Sequence, residues 1–423
     1  MEDVREIGVK VPVEPPTEIK DLYVPIPPEY IEDTYKKDSL IVLVGPQHGG
    51  SGHMRIILRL RGDIILEALP DPGYVHRAVE KLAENRMYIQ NIPLVERPSI
   101  MDCANFNLGY VRAIERMMDI EVPKRAQYIR MILAELCRIG THLYDAGILS
   151  IFLGHSTGFM WCFGLREIVC ECLTRISGAR VTASYIIPGG VRRDVDDSVL
   201  KYVYESANSI ENKIIGFKRI FVDNPVTIAR LKDVAVIGRS TAVKVGLVGP
   251  FLRASGIEYD VRKIEPYEAY DEVEWDIPIS YDGDSYARLL VRLEEIYQSI
   301  KIIRQCIERL LEMPKGPVIS ERLLAGIKEK DAVSRDIRGF LYRIFARLVP
   351  PAGETTILTE AARGLLLYTI VSDGKSNAPY RLRIVSPSWL YLKGFMESLK
   401  GCRLADLQAV YGSFGYFPPE ADR

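Results

Sequence analysis

Only five histidines occur in this chain: His48, His53, His76, His142 and His155. No two form an H-E-x-x-H pair, and no C-x-x-C is present, so a metal site of standard spacing is not expected. Two histidines fall in one short segment, Gly45-Pro46-Gln47-His48-Gly49-Gly50-Ser51-Gly52-His53. Glycine lets a backbone approach a ligand closely. A histidine in such a loop can donate a hydrogen bond or a proton near neutral pH. That chemistry suits a carbonyl ligand such as a quinone head group. A hairpin loop carrying surface histidines is the competing reading of the same residues. Gly189-Gly190 lacks the third glycine of a dinucleotide fingerprint, which argues against a nicotinamide site.

The seven cysteines are odd in number and scattered, which fits reduced thiols. Cys170 and Cys172 sit in an apolar helical run and read as small buried hydrophobes. The 55 basic and 56 acidic side chains leave a net charge of −1, so nucleic acid is not the expected partner.

The elements around the loop can be read from pattern. Leu40–Val44 is a short apolar run ending at Gly45, and residues 54–60 and 63–69 flank an Arg61-Gly62 turn as a hairpin. Residues 76–88 read as helix. Pro123 suits a helix start, followed by a stripe of Ile129, Ile132, Leu133, Leu136, Ile139 and Leu143. A second helix is expected over about 158–177, stopping at Gly178, and a third from Tyr286 to Glu312, ended by Pro314, Gly316 and Pro317. Residues 365–395 read as strand-like, with a turn at Asp373-Gly374.

Ala146 to Leu165 holds no charged residue but is rich in glycine, serine and threonine. It reads as a helix end, a buried turn and a second helix start, not as a membrane span. The expectation is an α+β chain, with a central helical bundle and flanking β-sheet pieces. A proline-rich extended arm covers residues 1–38 and one large unit covers 39–423. That unit divides into a β hairpin region (39–72), a helical core (73–180 and 285–350) and a mixed C-terminal part (365–423).

Several motifs then occur in one order. They are Gly45-Pro46-Gln47-His48, Gly73-Tyr74-Val75-His76-Arg77, Val122-Pro123-Lys124-Arg125-Ala126-Gln127, Gly189-Gly190-Val191-Arg192-Arg193-Asp194, Arg253-Ala254-Ser255-Gly256, Ala362-Arg363-Gly364 and Val371-Ser372-Asp373-Gly374. From about residue 39 onward the chain resembles the D (49 kDa-type) subunit of NADH–quinone oxidoreductases, most closely its archaeal members. That family is similar in fold to the large subunit of nickel–iron hydrogenases. Hydrogenases hold their metals through two C-x-x-C pairs. Here the first pair's places hold Ser99 and Asp102, with Cys103 one residue out of place, and Gly415–Pro419 contains no cysteine. Nickel in such a site needs thiolates, which argues against hydrogenase activity.

The resemblance implies a quinone pocket shared with a neighbouring B-type subunit, which would carry the terminal 4Fe-4S cluster. A C-type subunit and the membrane-arm subunits would be further partners, and no cofactor would be bound by this chain alone. It places the chain on the cytoplasmic face of the membrane, in a complex coupling quinone reduction to ion translocation. Arg97 falls on the family's cluster-adjacent arginine, and Thr182 on a cluster-adjacent histidine. The usual head-group tyrosine becomes Ile100 and the aspartate becomes Phe152. His53 takes the catalytic position, with His48, Gly50, Gly52 and His155 as further quinone-site residues; His155, three residues after Phe152, is expected to share its helix face. The losses leave two alternatives open: reduction of another acceptor, such as a sulfur compound, or a structural role without redox chemistry.

Overall fold

The computed structural model describes residues 39–49, 51–324 and 348–423. The proline-rich arm, Gly50 and residues 325–347 lie outside them.

The alternation of Leu40–Val44 and Arg55–Arg61 becomes an antiparallel pair, with Leu40 opposite Leu60 and Val44 opposite Ile56. Arg55–Arg61 also pairs with Ile64–Asp71 through the expected Arg61-Gly62 turn. A second three-stranded sheet comprises Gly353–Ala361, Gly364–Ser372 and Arg381–Val385, all antiparallel.

Between the sheets runs the helix Lys124–Phe152, its N-cap at Pro123. It packs against Ser156–Ser177 and Ser285–Glu312, and Asp197–Phe217 packs against both of those. The 124–152 helix is buried on nearly every side, which places Arg130, Glu135, Arg138, His142 and Asp145 inside the protein. Buried charges persist only when paired. Arg138 and Arg262 accordingly flank Glu135, and Arg253 meets Glu295, Asp260 and Glu360.

One apolar core joins these helices to the second sheet. Another joins the first sheet to the C-terminal helices, with Ile56, Leu58 and Ile65 against Tyr391, Phe395 and Phe414. Fully burying each such side chain contributes about 1.5–3 kcal/mol. The first sheet and the helices of residues 387–422 therefore share a core.

Two segments differ from expectation. Of residues 76–88, only Val79–Ala83 is α-helix; Ala78 is left-handed at φ 52°, and a 3-10 turn spans Tyr88–Asn91. Before it, Val75 N donates to Asp422 Oδ2 (3.0 Å) and His76 Nδ1 lies 2.5 Å from Asp422 O, so this stretch is tied to the chain's other end. Beyond residue 385 the strand-like run becomes the helix Pro387–Leu399. Its aromatic content imitates a strand, but Tyr391, Phe395 and Leu399 recur every four residues and are buried on one face. The third helix spans Ser285–Glu312, and Met313 after it is extended.

The uncharged stretch resolves into a helix end at Phe152, a turn and a new helix from Ser156. The turn is partly exposed rather than buried, with Gly154 open to solvent. No helix among the described residues is long and apolar enough to cross a membrane.

Candidate functional site

The glycine-rich loop is tethered to itself and pressed onto the C-terminal helices. The amides of Ser51 and Gly52 both donate to His48 O (3.0 and 2.9 Å), and Met54 N donates to Ser51 O (3.1 Å). Ser51 is buried beneath this turn. Gly52 has φ +58°, and a Cβ there would lie 2.4 Å from Tyr411 Oη. Glycine is needed at that position for both conformation and space. A Cβ on Gly49 would meet Phe152 and Gln408 at 3.9 and 3.8 Å. The loop thus rests on Tyr411, in the helix Leu407–Phe414, and on Phe152.

The seat beneath the loop is aromatic. The rings of Phe152 and Tyr411 lie 6.0 Å apart, and Tyr416 and Phe395 each lie 6.1 Å from Tyr411. Tyr144 continues the wall, 5.8 Å from Phe163 and 6.4 Å from Phe417. Burial pushes the phenols of Tyr144 and Tyr411 up, so both stay protonated donors at neutral pH. His48 and His53 are exposed. A groove of about 530 Å³ runs along Val42–His48, with His48 in its lining.

A second edge is basic. Arg97 opens a 3-10 segment, Arg97–Asp102, is exposed, and makes no ion pair among the described residues. Arg77 stands close enough that, after burial, the Arg97 charge lowers its pKa. Glu96 is buried and accepts from Ser184 N (2.8 Å), Ser184 Oγ (2.9 Å) and Asn107 (3.1 Å). These bonds hold the left-handed turn of Thr182 and Ser184 against the residue preceding Arg97. Burial pushes the Glu96 carboxyl up to about 7, against the pull of those donors. Ile100, half-buried, follows on the same segment.

Behind the aromatic wall lies a buried arginine. Arg363 donates to Asp145 Oδ1 (2.7 Å), Glu420 Oε2 (3.2 Å), Ser99 Oγ (3.3 Å) and Gly415 O (2.5 Å). Burial opposes its charge, but Asp145 and Glu420 outweigh that and keep the guanidinium protonated. Ser99 and Gly415 belong to the two segments where the hydrogenase resemblance would place cysteines. Here a cation fills that space, and oxygens rather than thiolates surround it. Among the described residues, no group of three or more potential ligands could hold a metal ion.

The family described as the respiratory-chain NADH dehydrogenase 49 Kd subunit matches residues 153–423. The D-type subunit of the NADH-quinone oxidoreductase of Desulforamulus reducens is 35% identical over 390 residues, which cover 92% of this chain and 100% of the relative. The mitochondrial 49 kDa subunit of Neurospora crassa is 36% identical over 384 residues, 90% of this chain and 79% of that one.

The chain belongs to the 49 kDa-subunit family.

A chain of the membrane-bound sulfane sulfur reductase, an archaeal respiratory membrane complex, has the same fold. The TM-score is 0.82 at 34% identity, covering 92% of this chain and 99% of that one. Relatives of this 49 kDa-type subunit thus include members of complexes named for quinone and for sulfur reduction.

Within this family fold, the loop and Phe152 meet, and Ser184, two residues after Thr182, is bonded to Glu96, the residue next to Arg97. His155 goes elsewhere. Phe152 ends one helix, and His155 caps the next by accepting from Gly158 N at Nδ1 (2.9 Å). Its ring packs on Phe221, 5.3 Å away. The two residues therefore share no helix face, because the helix breaks at Leu153–Gly154. Sequence reasoning did not name Tyr144, Tyr411, Asp145 or Arg363 as candidate site residues. A charged Asp145 one turn after His142 on an apolar helix was the available signal.

Proposed function

We propose that this subunit takes electrons from a 4Fe-4S cluster held by a neighbouring B-type subunit and delivers them to a quinone seated against the 45–53 loop. Quinone takes up two electrons and two protons to become quinol, and the energy drives ion translocation by membrane-arm subunits. The subunit works at the cytoplasmic face, with a C-type subunit as a further neighbour. The observation that carries the reading is the loop's seat: a histidine-bearing glycine loop pressed onto an aromatic wall. An aromatic wall suits a flat, apolar head group. His53 offers the hydrogen bond to its carbonyl. Arg97 stabilises the reduced, more negative cluster of the partner. Tyr144 replaces, from another element, the phenol that Ile100 does not provide.

A second reading is reduction of a sulfur compound. It is favoured by the structural likeness to the sulfane sulfur reductase complex and by the apolar Ile100 and Phe152. The test is to purify the assembled complex, reduce its cluster, and offer quinone and polysulfide in separate assays. Quinone turnover that disappears in His53→Ala supports the first reading. Polysulfide turnover without quinone turnover overturns it.

A further inference from the structure

Two of the seven cysteines face each other. Cys103 Sγ and Cys137 Sγ lie 3.9 Å apart, and both side chains are buried. Cys103 is the first residue of the helix Cys103–Met118, and Cys137 lies midway along the 124–152 helix packed against it. The two backbones are pinned together at this place, because Asn105 Nδ2 donates to Ala134 O at 3.1 Å. A cysteine buried alone reads as a small hydrophobe. Two thiols in contact are one two-electron oxidation away from a disulfide.

The pair borders a small cavity. Glu96, Asn107, Ala183 and Tyr185 help to line it with the two thiols, and its free volume is about 10 Å³. That is about the least a single water needs. Asn107 Oδ1 is buried without a partner in the protein, so the cavity's lining includes an open acceptor. Hydrogen peroxide approaches the size of water and can donate to such an acceptor. A disulfide such as oxidised glutathione is far too large to enter.

The surroundings decide which sulfur reacts first. The Cys103 thiol, then burial, push the pKa of Cys137 well up, with Asp102 adding to the rise against the pull of the Ala104 amide. Cys137 therefore stays a thiol at neutral pH, and the first attack falls to Cys103. Cys103 Sγ attacks one peroxide oxygen and the O–O bond breaks. The released hydroxide takes the thiol proton, leaving a sulfenic acid and one water. Cys137 Sγ then attacks the Cys103 sulfur, the S–O bond breaks, and the hydroxyl leaves with the Cys137 proton as a second water. Two thiols give up two electrons, and one peroxide becomes two waters.

We propose that Cys103 and Cys137 form a reversible disulfide on exposure to hydrogen peroxide, and that this bond resets the segment carrying Arg97. Closing the sulfurs from 3.9 Å to a bond of about 2.05 Å draws them together by about 1.9 Å. The 124–152 helix is held in place next to Cys137, where Arg138 donates to Ala361 O (2.8 Å) and Glu360 O (2.7 Å), so the movement falls on Cys103. The Arg97–Asp102 segment leads straight into Cys103 and is already interrupted at Ser99, with φ −128° and ψ 84°. Two residues that line the cavity, Glu96 and Ala183, belong to that same basic edge: one precedes Arg97, and the other lies in the turn that Glu96 holds. The effect on turnover rests on the proposed function; the disulfide does not.

The test uses the assembled complex. Wild-type complex is treated with hydrogen peroxide, denatured, alkylated, digested and read by mass spectrometry. A peptide joining Cys103 to Cys137, released by dithiothreitol, is expected from most of the protein. Cys170 is the rival partner, since Cys103 is among the groups that, after burial, raise its pKa. Cys103 and Cys137 recovered unjoined, or Cys103 joined to Cys170, overturns the modification site. Acceptor turnover of the oxidised complex should fall several-fold and return with dithiothreitol. Cys137→Ala cannot form the bond and should keep its turnover under the same treatment. An equal loss in Cys137→Ala is peroxide damage to the cluster and overturns the switch, as does a disulfide that leaves turnover unchanged. If Cys137→Ala does not assemble, dithiothreitol decides, and a loss that it does not reverse overturns the switch. A wild-type complex that reduces no quinone overturns the proposed function, while the joined peptide still decides the site.

Discussion

Arg363 and Asp145, 218 residues apart in the chain, are joined by a 2.7 Å hydrogen bond in the buried interior behind the aromatic wall. The pair links the turn between the first two strands of the second sheet to the central helix. It occupies the region where the resemblance to hydrogenases would place metal. A buried pair of this kind is costly to break from one side, because the remaining charge is stranded in low dielectric.

Arg363→Ala should therefore destabilise the fold by about 3–5 kcal/mol. Arg363→Lys should recover only part of this, since an ammonium cannot match four separated acceptors with a planar fork. Chemical denaturation of the chain, or its yield in the assembled complex, measures both. Equal stability of Arg363→Ala and the parent would show that the network is dispensable.

His53→Ala should lower acceptor turnover roughly a hundredfold while the partner cluster is still reduced by donor. Turnover and the cluster's electron paramagnetic resonance signal, recorded on one preparation, separate the two. His48→Ala is the control from the same loop, and a larger loss there would exchange their roles.

Arg97→Ala removes an exposed positive charge from the edge assigned to the cluster. The cluster potential should move negative on the order of tens of millivolts, and Arg97→Lys should restore most of it. A redox titration of the complex reads the shift; an unmoved potential places the cluster elsewhere.

Gly52→Ala puts a Cβ against Tyr411 Oη at a left-handed position. The loop should shift, with lower turnover and a lower melting temperature. Tyr411→Phe in the same chain removes the atom that is struck and should restore part of the loss. Gly52→Ala without effect would mean that the loop is not seated on Tyr411.

Glu96 gives a pH signature of stability. Its folded pKa of about 7 lies above the ordinary value of 4.5, so the folded state holds a proton the unfolded state has released. Its contribution is fully present below about pH 4.5 and is lost as pH rises through 7, with a slope of at most about 1.4 kcal/mol per pH unit. Glu96→Gln cannot ionise and should flatten that part of the stability curve. Denaturation midpoints between pH 5 and 8 for both proteins make the comparison, and parallel curves would rule Glu96 out as the source.

Local signals carried much of the architecture. Pro123 marked the start of the central helix, Gly178 the stop of the next, and Arg61-Gly62 the hairpin, because each is fixed by the conformation of one or two residues. The glycine loop was visible for the same reason. Its seat was not, because Tyr411 reaches it from the far end of the chain and no local pattern encodes that contact. Pro387–Leu399 looked like a strand because Trp389, Tyr391 and Phe395 favour strands by type; tertiary burial of every fourth residue decided otherwise. His155 looked close to Phe152 by spacing, but two residues of turn were enough to send it to Phe221. The arginine network was invisible because its partners are distant in sequence.

The shared core of the first sheet and the C-terminal helices has a consequence for biosynthesis. A ribosome exposes the 45–53 segment early, whereas Tyr411, Phe414 and Asp422 emerge almost a whole chain later. The hairpin must wait with its apolar face uncovered, and nascent strands in that state are prone to aggregate. The loop thus gains its seat only after the 407–414 helix has emerged. A product cut before the 407–414 helix would leave the loop without its platform.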